Sequence, residues 1–167
     1  MKERLLKFAI DRAKSGRPWL FSRIMQEVIP FNRVHRISVT QLSSQGCEAY
    51  LPFRRRNLNH LGTMHATAIA TAAEYVAGLN VIDAFDISKY RLIMGRLEVD
   101  YVRRAEGACT TKSAFEHGQL DKLRSELKAE GVSKFTLQSQ VIDSVGETIA
   151  VATVHWQVKS WDKVRVK

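Results

Sequence analysis

The segment from Met64 to Gly78 constrains the fold more than any other part of the chain. It holds six alanines (Ala66, Ala68, Ala70, Ala72, Ala73 and Ala77) together with Ile69, Tyr75 and Val76. Alanine is the strongest helix former, so the stretch reads as a helix that is small and apolar almost all the way round. A helix with no polar stripe must be buried. Small side chains also permit close backbone approach, and the economical arrangement is one antiparallel sheet curled around this helix, the two sharing a core.

The rest of the chain supplies that sheet. Apolar residues alternate with polar ones in six segments: Val34 to Leu42, Gly46 to Phe53, Leu92 to Val102, Ala108 to Glu116, Val132 to Ile142 and Thr148 to Val158. Ser43-Ser44-Gln45-Gly46 and Asp143-Ser144-Val145-Gly146 read as tight connections. Leu120, Leu123 and Leu127 mark a short amphipathic helix that ends at Gly131. Residues 1–29 predict two further helices. Leu5, Leu6, Ala9, Ile10 and Ala13 share one face of the first; Pro18 opens the second and Pro30 stops it. The second helix is broadly apolar, from Trp19 and Phe21 to Ile29, and is expected to pack on the main domain, a membrane surface being the sharper alternative. The fold class expected is therefore α+β: about six antiparallel strands wrapped around one buried central helix. A helical extension over residues 1–33 precedes a main domain over 34–167.

A chain of 167 residues with 45% hydrophobic and 26% charged residues rules out wholesale disorder and low-complexity architecture. Its 26 Lys and Arg against 17 Asp and Glu give a formal charge of +9, which attracts a polyanion: nucleic acid, an anionic membrane or a phosphate-rich coenzyme. No DNA- or RNA-reading motif is present and the aromatic residues follow core periodicity, so a nucleic-acid partner is not expected. Cys47 and Cys109 lie far apart with no further Cys or His at ligand spacing. Neither a disulfide framework nor a metal site is expected, and a reduced, cytoplasmic protein is the default. Lys7, Asp11 and Arg12 interrupt the first apolar run before signal-peptide length, and no stretch nears the ~18 apolar residues of a membrane span.

Glu74 is the chemical anomaly. It lies in the middle of the buried helix among Ala70, Ala73, Ala77 and Gly78, with no basic residue within one turn. A carboxylate without a partner resists ionisation there, which makes Glu74 a candidate general base or nucleophile unless an Arg from elsewhere pairs with it. His65 stands at the start of the same helix, where the N–H groups of Ala66 and Thr67 are expected to point outward and could hold an oxyanion. Nine residues separate His65 from Glu74, about 13.5 Å along the axis and half a turn out of phase. A site that uses both is expected to join the helix start of one subunit to the glutamate of another.

The run Asn59-His60-Leu61-Gly62-Thr63-Met64-His65-Ala66-Thr67, followed after six residues by Glu74, resembles the helix-entry motif of hotdog-fold acyl-CoA thioesterases. It is similar to the phenylacetate-degradation group, with its Asn, Gly-Thr, His-Gly-Gly and Asp or Glu, and the N-terminal extension points to an uncharacterised thioesterase-like subgroup. The resemblance implies roles. Glu74 would activate water or attack the thioester carbonyl, and Ala66 N–H of the partner subunit would polarise the carbonyl oxygen. Asn59 would hydrogen-bond near the thioester or orient the water, and His65 would shape the loop or assist polarisation. Gly62, Thr63 and Thr67 would line the substrate, and no cofactor is implied beyond the coenzyme A thioester itself. The assembly would be a homodimer or a tetramer. Two departures stand out: Ala66-Thr67 replaces Gly-Gly, and Gly78 occupies a position where some members carry a hydroxyl. The basic run Arg54-Arg55-Arg56 and the pair Arg103-Arg104 are candidates for coenzyme A phosphates. A non-catalytic acyl-CoA binder or regulator, and an enoyl-thioester hydratase or dehydratase, are the alternative functions.

Overall fold

The computed structural model describes residues 2–164, with side chains from Leu5 onward. Three helices lead the chain: α1 (Lys2–Lys14), α2 (Pro18–Val28) and α3 (Pro30–Arg33). Strands β1 (Ser38–Ser43) and β2 (Gly46–Leu51) follow, then the central helix α4 (Ala66–Ala84) and strands β3 (Tyr90–Tyr101) and β4 (Cys109–Ser113). Helix α5 (Gln119–Glu130) precedes β5 (Val132–Ile142) and β6 (Thr148–Ser160). The six strands form one antiparallel sheet in the order β1-β2-β4-β5-β6-β3. Its concave face packs on α4, the hotdog arrangement.

Close approach between α4 and the sheet follows from side-chain size. Ala68, Ala72, Ala73, Val76 and Ala77 are all buried against it. Two polar side chains pin the layers together: the Ser139 hydroxyl donates to the Ala73 carbonyl at 2.8 Å, and Asn80 Nδ2 donates to the Ser113 carbonyl at 2.7 Å. Such bonds satisfy polar groups that would otherwise be stranded in the core. The helix runs six residues beyond Gly78, where the alanine-rich segment ends. Gly78 is no stop, because the Trp156 ring fills the space beside it, 3.4 Å from where a Cβ would stand, and Leu79 and Val81 continue the buried surface.

Local geometry also departs from the sequence expectations before the sheet. Pro30 does not simply end α2; it takes the first-turn position of the one-turn helix α3. The alternation from Val34 suggests strand, yet β1 starts only at Ser38, because the chain turns through residues 34–36 and Arg36 adopts a left-handed backbone at φ +51°. On α2, Phe21 and Met25 are buried as expected, whereas Trp19 projects outward at 69% exposure. Helix α5 ends as the sequence predicts, at Gly131 with φ +71°.

One side chain ties the leading helices to the entrance of α4. Asn57, fully buried, donates from Nδ2 to the His35 carbonyl at 3.0 Å and to the Pro52 carbonyl at 2.9 Å, while its Oδ1 lies 3.1 Å from His35 Nδ1. Its own carbonyl accepts from His65 N–H at 2.7 Å, one residue before α4. Asn57→Ala leaves two part-buried carbonyls without their donor and is expected to destabilise the fold by roughly 2 kcal/mol, measured by urea denaturation.

Candidate functional site

The entrance loop is built by Asn59. Its Oδ1 accepts from Leu61 N–H at 2.9 Å and Thr63 N–H at 3.2 Å, and its Nδ2 donates to Thr63 Oγ1 at 2.9 Å. Gly62 closes the turn onto the Asn59 carbonyl at 3.2 Å with φ +74°, a conformation suited to glycine. The Asn59 amide thus shapes the loop and keeps a single N–H unused, while Thr63 is buried beneath the loop.

His65 caps α4 with its own side chain. Nδ1 accepts the Thr67 N–H at 3.2 Å and lies 2.8 Å from Thr67 Oγ1, and the His65 carbonyl takes the N–H groups of Ala68 and Ile69. An acceptor Nδ1 is the neutral imidazole with its proton on Nε2. Thr67 N–H is therefore not the outward donor expected from the sequence. Of the first four N–H groups of α4, only that of Ala66 has no acceptor among the described residues. It sits at the positive end of a 19-residue helix.

A cavity of about 500 Å³ opens at this helix start, lined by Asn59, Thr63, Ala66, Ile69, Tyr101 and Arg104 among others. Tyr101 donates its hydroxyl to the Ala66 carbonyl at 2.8 Å and fixes β3 to the first turn of α4. Arg103 is held by Asp143 at 2.9 Å, leaving Arg104 as the cation at the rim without an ion pair among the described residues. Tyr101 was not singled out by sequence reasoning, although its alternation with Leu97 and Val99 on β3 is the signal that could have found it.

Glu74 lies two turns further along α4 and half-buried. Its carboxylate has no hydrogen bond or ion pair among the described residues, so no distant Arg claims it. Burial alone holds its carboxyl above the ordinary carboxylate range. Its Oε1 is 3.6 Å from the position a Gly78 Cβ would take, and the indole of Trp156 forms the adjoining wall, its buried Nε1–H without a partner. A Cβ at position 78 would stand in ordinary contact with that ring. Eight residues, about 12 Å, separate Glu74 from Ala66.

The structure therefore brings Asn59, Gly62, Thr63, His65, Ala66 and Thr67 together at one end of α4 and sets Glu74 apart. The basic run does not join them: Arg55 and Arg56 lie on the 3-10 turn Arg55–Asn57, and Arg56 faces a separate groove beside α2. Among the described residues no cluster of His, Cys, Asp and Glu could hold a metal, and no helix is long and apolar enough to cross a membrane.

Comparison with known proteins places this geometry in context. The model of a family described as a domain of unknown function, DUF4442, matches residues 17–158. No curated protein matches the chain. Among solved structures, a protein of unknown function and probable thioesterase from Pseudomonas aeruginosa superposes with a TM-score of 0.77 at 24% identity, covering 83% of this chain and 93% of that one. A Staphylococcus aureus thioesterase enzyme gives 0.65 at 13% identity over 78% and 98%. A second Pseudomonas aeruginosa thioesterase gives 0.69 at 13% identity over 83% and 91%. At these identities the likeness establishes the hotdog fold.

The Glu74 environment has a thermodynamic signature. Its carboxyl titrates above the ordinary 4.5 in the folded state, so ionisation opposes folding increasingly as pH rises through 4.5 and fully above the folded value. Glu74→Gln removes that opposition. The variant is expected to melt above the parent protein at pH 7, and the difference is expected to shrink as the pH falls below about 4.5, read by thermal melts across pH.

Proposed function

We propose that this chain, which belongs to the DUF4442 family of domains of unknown function, is a thioester hydrolase acting on an acyl-CoA or similar acyl thioester. One observation carries the reading: a single buried helix holds a carboxylate without a partner at Glu74 and one uncommitted N–H at Ala66. The first, held above the ordinary carboxylate range by burial, suits a general base, and the second suits an oxyanion. The thioesterase descriptions of proteins that share the fold add support.

About 12 Å is too far for both groups to act on one carbonyl within a chain. The assembly proposed is therefore a homodimer in which Glu74 of one subunit faces the helix start of the other. The edge of β3 supports it. Among the described residues this twelve-residue strand pairs only with β6 and leaves Ile93, Met94 and Tyr101 substantially exposed, and a long unpaired edge of this kind invites a second copy of itself. Pairing of dimers into tetramers remains part of the proposal, as does residence in the cytoplasm, in keeping with the free, buried Cys47 and Cys109.

In the reaction, Glu74 takes a proton from water while the water oxygen bonds to the thioester carbonyl carbon. The carbonyl oxygen gains the displaced electron pair and rests on Ala66 N–H, a neutral donor that strengthens as charge develops. Collapse re-forms the carbonyl and breaks the C–S bond, and the proton on Glu74 passes to the leaving sulfur. The products are a carboxylic acid and a free thiol. Glu74 acting as nucleophile would instead form an anhydride that water then opens. His65 and Asn59 position the helix start and the loop.

The Cβ atoms of Ala66 and Thr67 narrow the approach to the donor, and this favours one second reading, a protein that binds acyl-CoA without turnover. Thiol release from short-, medium- and long-chain and aromatic acyl-CoAs separates the two. The hydrolase is expected to release thiol over many turnovers, with Glu74→Gln at least ~10²-fold slower. Ala66→Pro deletes the single N–H at a position where proline fits a helix, after a His65 backbone (φ −68°, ψ 133°) that tolerates a following proline. It is expected to slow turnover by ~10²-fold. Binding without thiol release would establish the binder.

A further inference from the structure

The leading helices help to build a basic groove. It encloses about 990 Å³ between α2, α3, the start of β1 and the turn at Arg56. Arg23, Arg33, Arg36 and Arg56 line it against a single acidic residue, Glu27, a net of +3 from four arginines and one glutamate. Glu27 is spent on Arg33 at 3.5 Å. Arg23, Arg36 and Arg56 have no ion pair among the described residues, so three guanidinium groups face one groove without countercharge.

Their convergence is enforced. Arg36 follows His35 and Arg56 precedes Asn57, and the paired bonds between His35 and Asn57 hold the two backbones side by side. Arg36 takes the left-handed conformation that bulky residues avoid, φ +51°, to reach this position. Strain kept at a residue whose side chain enters a charged groove points to binding. Trp19 stands on the same wall with its indole 69% exposed, a large aromatic face open to stacking.

We propose that this groove binds the 3′-phosphorylated adenosine diphosphate end of coenzyme A, arginines on the phosphates and Trp19 on the adenine. The proposal rests on the acyl-CoA reading above and gives the N-terminal extension a task within it. A diphosphate and a phosphate monoester together carry roughly −3.5 to −4 at neutral pH, the complement of the groove. Arginine forks match phosphate oxygens in pairs. The groove is also joined to the reactive end of α4: the Asn57 carbonyl, next to Arg56, receives His65 N–H at 2.7 Å. A ligand with phosphates at one end and a thioester at the other would be met by a basic groove and by the helix start, two sites whose backbones are tied by that one hydrogen bond.

The test compares the parent protein with Arg36→Gly/Arg56→Ala by calorimetric titration with coenzyme A and with pantetheine, which lacks the nucleotide. Glycine suits the left-handed backbone at position 36, and Arg23→Ala provides a second variant on α2. Coenzyme A affinity is expected to fall at least ~10-fold in each variant and to weaken with added salt, while the preference over pantetheine collapses. Equal coenzyme A affinity in parent and variants, or no binding by the parent, overturns the proposal. So does arginine-dependent sedimentation with phosphatidylglycerol vesicles when coenzyme A binding is arginine-independent, which would assign the groove to a lipid headgroup. Thiol release from an acyl-pantetheine by the parent keeps the two claims separate. Its presence with arginine-independent coenzyme A binding leaves the hydrolase standing and removes the groove; arginine-dependent binding with no thiol release from any thioester leaves the groove and removes the hydrolase.

Discussion

The close contact between α4 and the concave face of the sheet is the constraint on which the rest depends. Alanines set the separation, and Ser139 and Asn80 lock it by bonding helix to strand and strand to helix. A helix sheathed this way offers little solvation to anything placed on it. Glu74 is placed there all the same, and burial, with no neighbouring charge, is what lifts its carboxyl above the ordinary range. The same close packing admits Trp156 against Gly78, so the wall beside the carboxylate and the helix itself are parts of one packing solution.

The entrance to α4 is organised by hydrogen bonds. Asn59 folds the loop onto Thr63, Asn57 anchors the backbone one residue ahead of the helix, and His65 closes the cap. The consequence is selective: three of the first four N–H groups have acceptors, and Ala66 is left over. The two ends of this chemistry lie about 12 Å apart on a straight helix, which no rotamer can bridge. In the account proposed here, two copies meeting at β3 solve that separation.

Much of this was legible in the sequence because it was local. Six alanines in fifteen residues announce a buried helix, period-two segments announce six strands, and Gly131 announces the end of α5. What escaped was decided by contacts distant in sequence. The continuation of α4 past Gly78 is covered by distant contacts, with Trp156, seventy-eight residues later, packed beside that glycine and Leu79 and Val81 buried. The late start of β1 depends on Arg36 being held left-handed, and Asn57 carries no motif although it joins three segments. In the site, the spacing of Asn59, His65 and Glu74 was readable. The capture of Thr67 N–H by the imidazole, the Tyr101 bond to Ala66 and the turning of Arg56 toward α2 were not, since each is a question of where a side chain points.

Complementation between two inactive chains tests the central claim most directly. Glu74→Gln and Ala66→Pro proteins, each purified as inactive, would be unfolded together in equal amounts, refolded and assayed for thiol release. If each site draws Glu74 from one subunit and the helix start from the other, half the randomly formed dimers carry one intact site, and about a quarter of parent activity returns. If both groups act within one chain, every site keeps a defect. Activity no higher than that of the separate variants would then contradict the account.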